Sequence, residues 1–293
     1  MKTSFLKIKT IALFVMGLGI LATSCTKDDQ TTSSALTSQV EDEMYTSEVY
    51  DEIDDLGDEA LDLAESNEIT LKSASGFGYN RLSECVTVTK VISNDTVLTT
   101  IDFGEINCEC NDGRMRRGKI LMAHYGRYWD GAVSIRFSFE NFYVDDNQIL
   151  GERVVSQVMN TEGNRQSTIS ANGSVVLADG SGTITWEAQR VRTIIEGSAT
   201  RTKRDDVIEV TGGSTCTLAD GTIITTAIVT PLVRKNETGC FLYYVQGIRQ
   251  TNIGDETQMT IDFGDGECDN LAELTVNGET TIIELKRKRP NLL

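Results

Sequence analysis

Two periodicities divide this chain. Between residues 40 and 68 the apolar positions Val40, Met44, Ile53, Leu56, Ala60, Leu63 and Ala64 recur at steps compatible with 3.6 residues per turn, which predicts one or two amphipathic helices broken near Gly57. From about Leu82 the period drops to two. Val133, Ile135, Phe137 and Phe139 alternate with Ser134, Arg136, Ser138 and Glu140, so one strand face is apolar and the other polar. The alternation returns at Ile184, Trp186 and Ala188, then out of phase at Val191, Thr193 and Ile195, predicting a bulge or bend near Gln189 and Arg190. Asn94-Asp95, Asn172-Gly173, Asp179-Gly180, Asp220-Gly221 and Asn277-Gly278 punctuate these runs. Such pairs tolerate the positive φ of two-residue hairpins and join neighbouring antiparallel strands. The expected fold class is all-β, an antiparallel meander forming a sandwich, roll or open barrel over residues 82–289, with an acidic helical segment at 40–68 before it.

One segment is written twice. TTIDFGEINC at 99–108 returns as MTIDFGDGEC at 259–268, with Asp102, Phe103, Gly104 and Cys108 recurring as Asp262, Phe263, Gly264 and Cys268. Each copy ends a hairpin segment, at 85–108 and 240–268. In the first, a strand beginning at Cys85 turns at Asn94-Asp95. In the second, a strand beginning at Cys240 turns around Gly254. Antiparallel partners keep a constant sum of residue numbers, so residues equidistant from a turn face each other. Cys240 and Cys268 lie symmetrically about Gly254, and Cys85 and Cys108 nearly so about the first turn. The predicted disulfides are therefore Cys85–Cys108 and Cys240–Cys268, with Cys110–Cys216 left as the third pair of six cysteines. The phenylalanines are predicted core residues, and the glycines let the chain turn towards the cysteine.

The N-terminus carries an address. Lys2, Lys7 and Lys9 precede an apolar run at 11–22 that is about a dozen residues long, too short to cross roughly 30 Å of hydrocarbon. It reads as a signal peptide, residues 1–24. Its end, Leu21-Ala22-Thr23-Ser24-Cys25, resembles the lipobox of bacterial lipoproteins, which implies cleavage before Cys25 and diacylglycerol on its thiol. The following Thr26-Lys27-Asp28-Asp29-Gln30 resembles the C-x-K-(D/E)₂ export signal of Bacteroidota lipoproteins bound for the outer face of the outer membrane. Residues 25–39 read as the lipidated cysteine and a flexible tether. The membrane, reached through the lipid, is one expected partner, and an oxidising location suits disulfides.

Charge narrows the partners. The formal net charge is −17, and loss of the three leader lysines makes it about −20 (−17 − 3). That balance argues against nucleic acid. Fifteen Asp or Glu and no Lys or Arg fall between Asp28 and Glu68, marking off a separate segment whose carboxylate face is expected to be solvated. Asp51-Glu52-Ile53-Asp54-Asp55-Leu56-Gly57 lacks the alternate-ligand spacing of a calcium loop, because Ile53 stands at the third position. No metal and no cofactor is expected.

Candidate chemistry is sparse. The D-F-G triplets lack the glycine-rich and H-R-D-type loops of a kinase. His124 is the single histidine, so neither a Ser-His-Asp triad nor a multi-histidine metal centre can be built, and no catalytic residue is assigned. The densest aromatic and polar cluster is His124, Tyr125, Arg127, Tyr128 and Trp129. Tyr125, Arg127 and Trp129 are the candidate ligand surface, although strand alternation sends neighbours to opposite faces and favours core and edge roles.

With the IDFG segments, the Arg114-Met115-Arg116-Arg117-Gly118-Lys119-Ile120 run and the closing Asn277-Gly278 hairpin in view, residues 85–285 resemble a family of uncharacterised Bacteroidota surface lipoproteins. The resemblance implies fold and location and carries no site residues. The expected function is a non-catalytic outer-membrane surface lipoprotein that binds, adheres or has a structural role. The alternative is a carboxylate-dependent glycan-active enzyme or a glycan-binding protein.

Overall fold

The computed structural model describes residues 27–65, 81–93, 96–126, 132–200, 204–237, 240, 243–254 and 257–285. The leader, Cys25, Arg127 and Trp129 lie outside them. Met1–Ser38 and Gln39–Leu293 form two units, and the packing below belongs to the second. One helix, α1 (Lys27–Glu65), precedes fourteen strands. These are β1 (Thr87–Ser93), β2 (Thr96–Asp102), β3 (Cys108–Glu109), β4 (Met115–Gly126), β5 (Val133–Val144), β6 (Asn147–Met159) and β7 (Arg165–Val176), followed by β8 (Thr183–Glu196), β9 (Val207–Thr217), β10 (Ile223–Lys235), β11 (Gln246–Ile253), β12 (Thr257–Asp265), β13 (Leu271–Val276) and β14 (Glu279–Glu284).

The strands make one open antiparallel meander, with neighbours in sequence order from β1 to β14 except that β2 pairs with β4 and the two-residue β3 flanks β4. The all-β meander is as expected, in the form of a single sheet that does not close on itself. Gly180 and Gly221 turn with positive φ, and Asn277-Gly278 joins Val276 to Glu279 with both turn residues at positive φ. Asn94-Asp95 lies outside the described residues, but Ser93 pairs with Thr96 on either side of it.

Several expectations need correction. α1 starts at Lys27, inside the stretch read as a flexible tether, and runs through Gly57 without a break. Asn172-Gly173 is not a turn: it lies within β7, where Asn172 pairs with both Glu152 and Glu187. Glycine is needed there because a Cβ on Gly173 would come within 1.9 Å of the Tyr50 hydroxyl. No bulge interrupts the β7–β8 ladder at Gln189 and Arg190. The inward row of β8 continues unbroken as Ile184, Trp186, Ala188 and Arg190, and the apparent change of phase arose because charged groups occupy inward positions. Finally, the second hairpin's first strand starts at Gln246, beyond Cys240.

Residues 39–65 of α1 lie against the inner face of this sheet. Tyr50 is fully buried, its ring stacked on Trp186 of β8 with centroids 4.9 Å apart. Its hydroxyl donates to the Leu150 carbonyl of β6 at 2.7 Å, with the Ser174 carbonyl of β7 at 3.2 Å. Tyr45 donates to the Val144 carbonyl of β5. Gly57 leaves room for Phe137, whose ring atoms would lie 2.6 Å from a Cβ at that position. Elsewhere, Glu43 takes bonds from Thr226 of β10 and Arg249 of β11. Tyr45 meets β5 while Glu43, only about 3 Å away along the helix axis, meets β11; in a flat sheet those strands would lie roughly 29 Å apart at about 4.8 Å per strand, so these contacts require the sheet to curl around residues 39–65. A second apolar cluster, with Ile194, Leu232, Met259, Ile261 and Phe263, fills the space under β8 to β13.

Candidate functional site

The most distinctive chemistry of the described residues is a layer of ion pairs between α1 and the sheet. Strand alternation aims Arg116 of β4, Arg153 of β6, Arg190 and Arg192 of β8 and Arg234 of β10 inwards, with Arg114 just ahead of β4 and Arg81 ahead of β1. Arg116 is fully buried, binding Glu52 at 3.0 Å and Asp112 at 2.7 Å. Arg153 grips Asp54 with two parallel bonds, Nε to Oδ1 at 2.7 Å and Nη2 to Oδ2 at 2.8 Å, the fork geometry that suits guanidinium and carboxylate. Arg190 binds Asp51 and donates to the Ser47 hydroxyl. Arg114 reaches Glu48, Glu52 and Asp145.

The acidic face of α1 is therefore not solvated as expected; much of it is enclosed and neutralised. Arginines spread from Arg81 to Arg249 in the sequence converge on carboxylates spread from Glu43 to Asp55. Asp55 is met from two directions, by Arg81 at 2.7 Å and by Arg234 at 3.8 Å. Burial alone would push its carboxyl up, but the Arg81, Arg234 and Arg192 guanidinium groups outweigh burial and hold it at about 2. Asp112 behaves alike: burial raises it, and the Arg116 hydrogen bond and charge bring it down to about 2. Arg116 is pulled down by burial and carried well above its ordinary value by Asp112 and Glu52. Burial pushes the Tyr45 and Tyr50 hydroxyls up. Removing one partner of a buried pair typically costs about 3–5 kcal/mol, because the other charge is stranded. Asp55 and Asp112, held low, and the Arg81, Arg114 and Arg116 guanidinium groups, carried up by their carboxylate partners, stay ionised at neutral pH.

Two of the three disulfides form as predicted. Cys85–Cys108 and Cys240–Cys268 have Cα separations of 5.9 and 5.1 Å. The third does not: Cys110 and Cys216 are buried free thiols. Cys216 sits on β9 near the charges of Glu43 and Asp42, whereas Cys110 sits beside Arg116, the partner of Glu52. Residues 43 and 52 are about 13 Å apart along a helix, and four strands of the meander separate β4 from β9, while a disulfide needs Cα atoms within about 7 Å. Burial and the two carboxylates push the Cys216 thiol up to about 12, and burial raises Cys110, so both are neutral thiols at pH 7. Glu237 lies close to Cys240 and Cys268, but those sulfurs are bonded to each other.

Of the aromatic and polar cluster only His124 and Tyr125 fall among the described residues, Arg127, Tyr128 and Trp129 lying outside them. Tyr125 is exposed near the end of β4, and His124 beside it is buried on the opposite face. Sequence reasoning missed the arginine layer. Its signal was present, in charged residues standing at strand positions where the alternation calls for apolar ones.

No protein-family model, curated protein or solved structure matches this chain.

Proposed function

We propose that the chain is a non-catalytic lipoprotein of the bacterial outer membrane, anchored through Cys25, displayed at the cell surface, and acting as a binding, adhesion or structural module. The short leader, the lipobox-like residues 21–25 and the Lys27-Asp28-Asp29 stretch support the location. The observation that carries the non-catalytic reading is the filled inner face of the sheet. That face is where a curled sheet would take a substrate, and this chain packs its own helix there. Carboxylate catalysis needs an acid whose pKa is raised towards neutrality. Asp55 and Asp112 are instead held at about 2 by guanidinium groups.

In this reading α1 is a structural connector between a lipid anchor and the β domain, and partners are met by the outer surface. Cys25→Ala should abolish palmitate incorporation, and replacing Lys27, Asp28 and Asp29 by alanine should keep the lipid but remove protease accessibility on intact cells. Labelling that persists in Cys25→Ala would refute the anchor. A glycan array with the soluble mature chain tests the carbohydrate alternative, and hydrolysis of any bound glycan would refute the non-catalytic reading.

A further inference from the structure

Beside the Asp54–Arg153 fork a cavity of about 50 Å³ lies between α1 and strands β6 to β10. A buried water needs about 10–15 Å³, so the space admits a few small groups and no organic substrate. Its charged lining is Arg153, Arg190, Arg192 and Arg234 against Asp51, Asp54 and Asp55, four positive groups to three negative. The carboxylates are engaged: Asp54 by Arg153, Asp51 by Arg190, and Asp55 by Arg81, which approaches from outside the cavity lining.

The guanidinium groups are not equally satisfied. Arg153 is 2% exposed, yet its Nη1 has no hydrogen-bond partner in the protein. Nε of Arg190, a residue 9% exposed, also lacks one, as does Nε of Arg234, whose contact with Asp55 is an ion pair at 3.8 Å. Buried donors on charged groups are costly to leave unpaired, and a local excess of one positive charge asks for an acceptor that is itself negative.

We infer that this cavity binds a monovalent anion of halide size, chloride under ordinary conditions, with Arg153 Nη1 as its principal donor and Arg190 and Arg234 contributing. The ion fastens β6, β8 and β10 to one another across the inner face. The inference is independent of the proposed cell-surface role. It predicts a protein whose stability depends on the identity of the anion and not only on ionic strength, because a ligand that binds only the folded state stabilises it by mass action.

The test uses the mature chain. Thermal unfolding is measured in sodium chloride, in sodium bromide and in sodium gluconate at matched ionic strength, gluconate being too large for the space. The expected result is a midpoint that rises and saturates with either halide and stays flat in gluconate. Crystals grown in bromide should show an anomalous peak within hydrogen-bond reach of Arg153 Nη1. Arg234→Gln makes the lining neutral without touching the Asp54 fork, and should weaken the halide dependence at least tenfold. Equal midpoints in halide and gluconate, a cavity holding only water in saturating bromide, or an undiminished halide response in Arg234→Gln would each overturn the assignment. The bromide experiment needs no variant, so it decides the matter even if Arg234→Gln does not fold.

Discussion

The two IDFG hairpins share a sequence and a local structure but not an environment. In the first, the Asp102 carboxylate accepts from the Gly104 amide at 2.9 Å; in the second, Asp262 accepts from Gly264 at 2.9 Å. Gly104 and Gly264 have φ of 84° and 88°, a region glycine enters without steric cost. Phe103 and Phe263 are buried, each with an aromatic neighbour 5.6 Å away, Phe142 in one case and Tyr244 in the other. The triplet is thus a turn device: aspartate caps, phenylalanine anchors and glycine redirects the chain towards a disulfide. The surroundings differ. β1 is an edge strand, exposed at all but one residue, with Val91 and Ile92 facing solvent, whereas β11 lies between β10 and β12 and buries Gly247, Thr251 and Ile253. The bridges are inverted as well: Cys85 is exposed and Cys108 buried, while Cys240 is buried and Cys268 exposed. A short repeat therefore specifies a turn, and its place in the sheet decides what the turn buries.

The largest difference between the copies is expected at the phenylalanines. Phe103→Ala should cost about 3–5 kcal/mol, as for a fully buried aromatic, and Phe263→Ala less, because Phe263 is the more exposed at 8% against 2%. Denaturant midpoints of the two variants compare them directly, and equal losses would mean that the second copy is as tightly enclosed as the first.

Next come the bridges. Each closes a loop of roughly 25 residues, for which chain entropy gives about 3 kcal/mol. Cys268→Ala should lose about that much and release one thiol, from Cys240, while Cys85–Cys108 survives intact. Non-reducing peptide mapping reads the result, and it should find Cys110 and Cys216 free in the parent protein.

Acid should act on the region around the first copy through Asp112. Its carboxyl lies at about 2 in the fold against an ordinary 3.8, so the unfolded chain takes up the proton more readily. The stabilisation is complete above about pH 4 and is lost as pH falls towards 2, amounting to about 2 kcal/mol in all. Stability measured from pH 7 to pH 2.5 should fall less steeply in Asp112→Asn, where only the similar contribution from Asp55 remains, than in the parent, which has both.

The smallest effect is the most diagnostic of likeness. Asp262→Ala removes the bond from the Gly264 amide, and Asp102→Ala removes the bond from the Gly104 amide together with a half-exposed ion pair to Lys119, so each should cost about 1 kcal/mol. Equal losses would establish the shared device; a difference would assign part of the turn's role to its surroundings.

Much of the fold was legible because it is local. Alternation at Val133, Ile135 and Phe137 needs only the two-residue period of a strand, and Asn277-Gly278 needs only its tolerance of positive φ. The bridges of the two hairpins followed from symmetry about a turn, which is also a short-range property. The Cys110–Cys216 pairing was reached by elimination, and no such symmetry supported it. Likewise Asn172-Gly173 has the composition of a turn, and only Tyr50, arriving from more than a hundred residues away, shows that the glycine makes room in a strand.

By itself the sequence determined the periodicities, the turn device and its two disulfides, and the existence of an acidic helical segment apart from a β domain. These depend on backbone geometry and on neighbours within about thirty residues. Only the tertiary structure decided where the acid goes. Whether a carboxylate on α1 faces water or a guanidinium depends on strands up to about two hundred residues away curling around it, and an inward arginine is indistinguishable from a misplaced outward one until that partner is present. Burying charge is unfavourable for either group alone and tolerable only for the pair, so no local reading of Asp54 or of Arg153 could have placed them together.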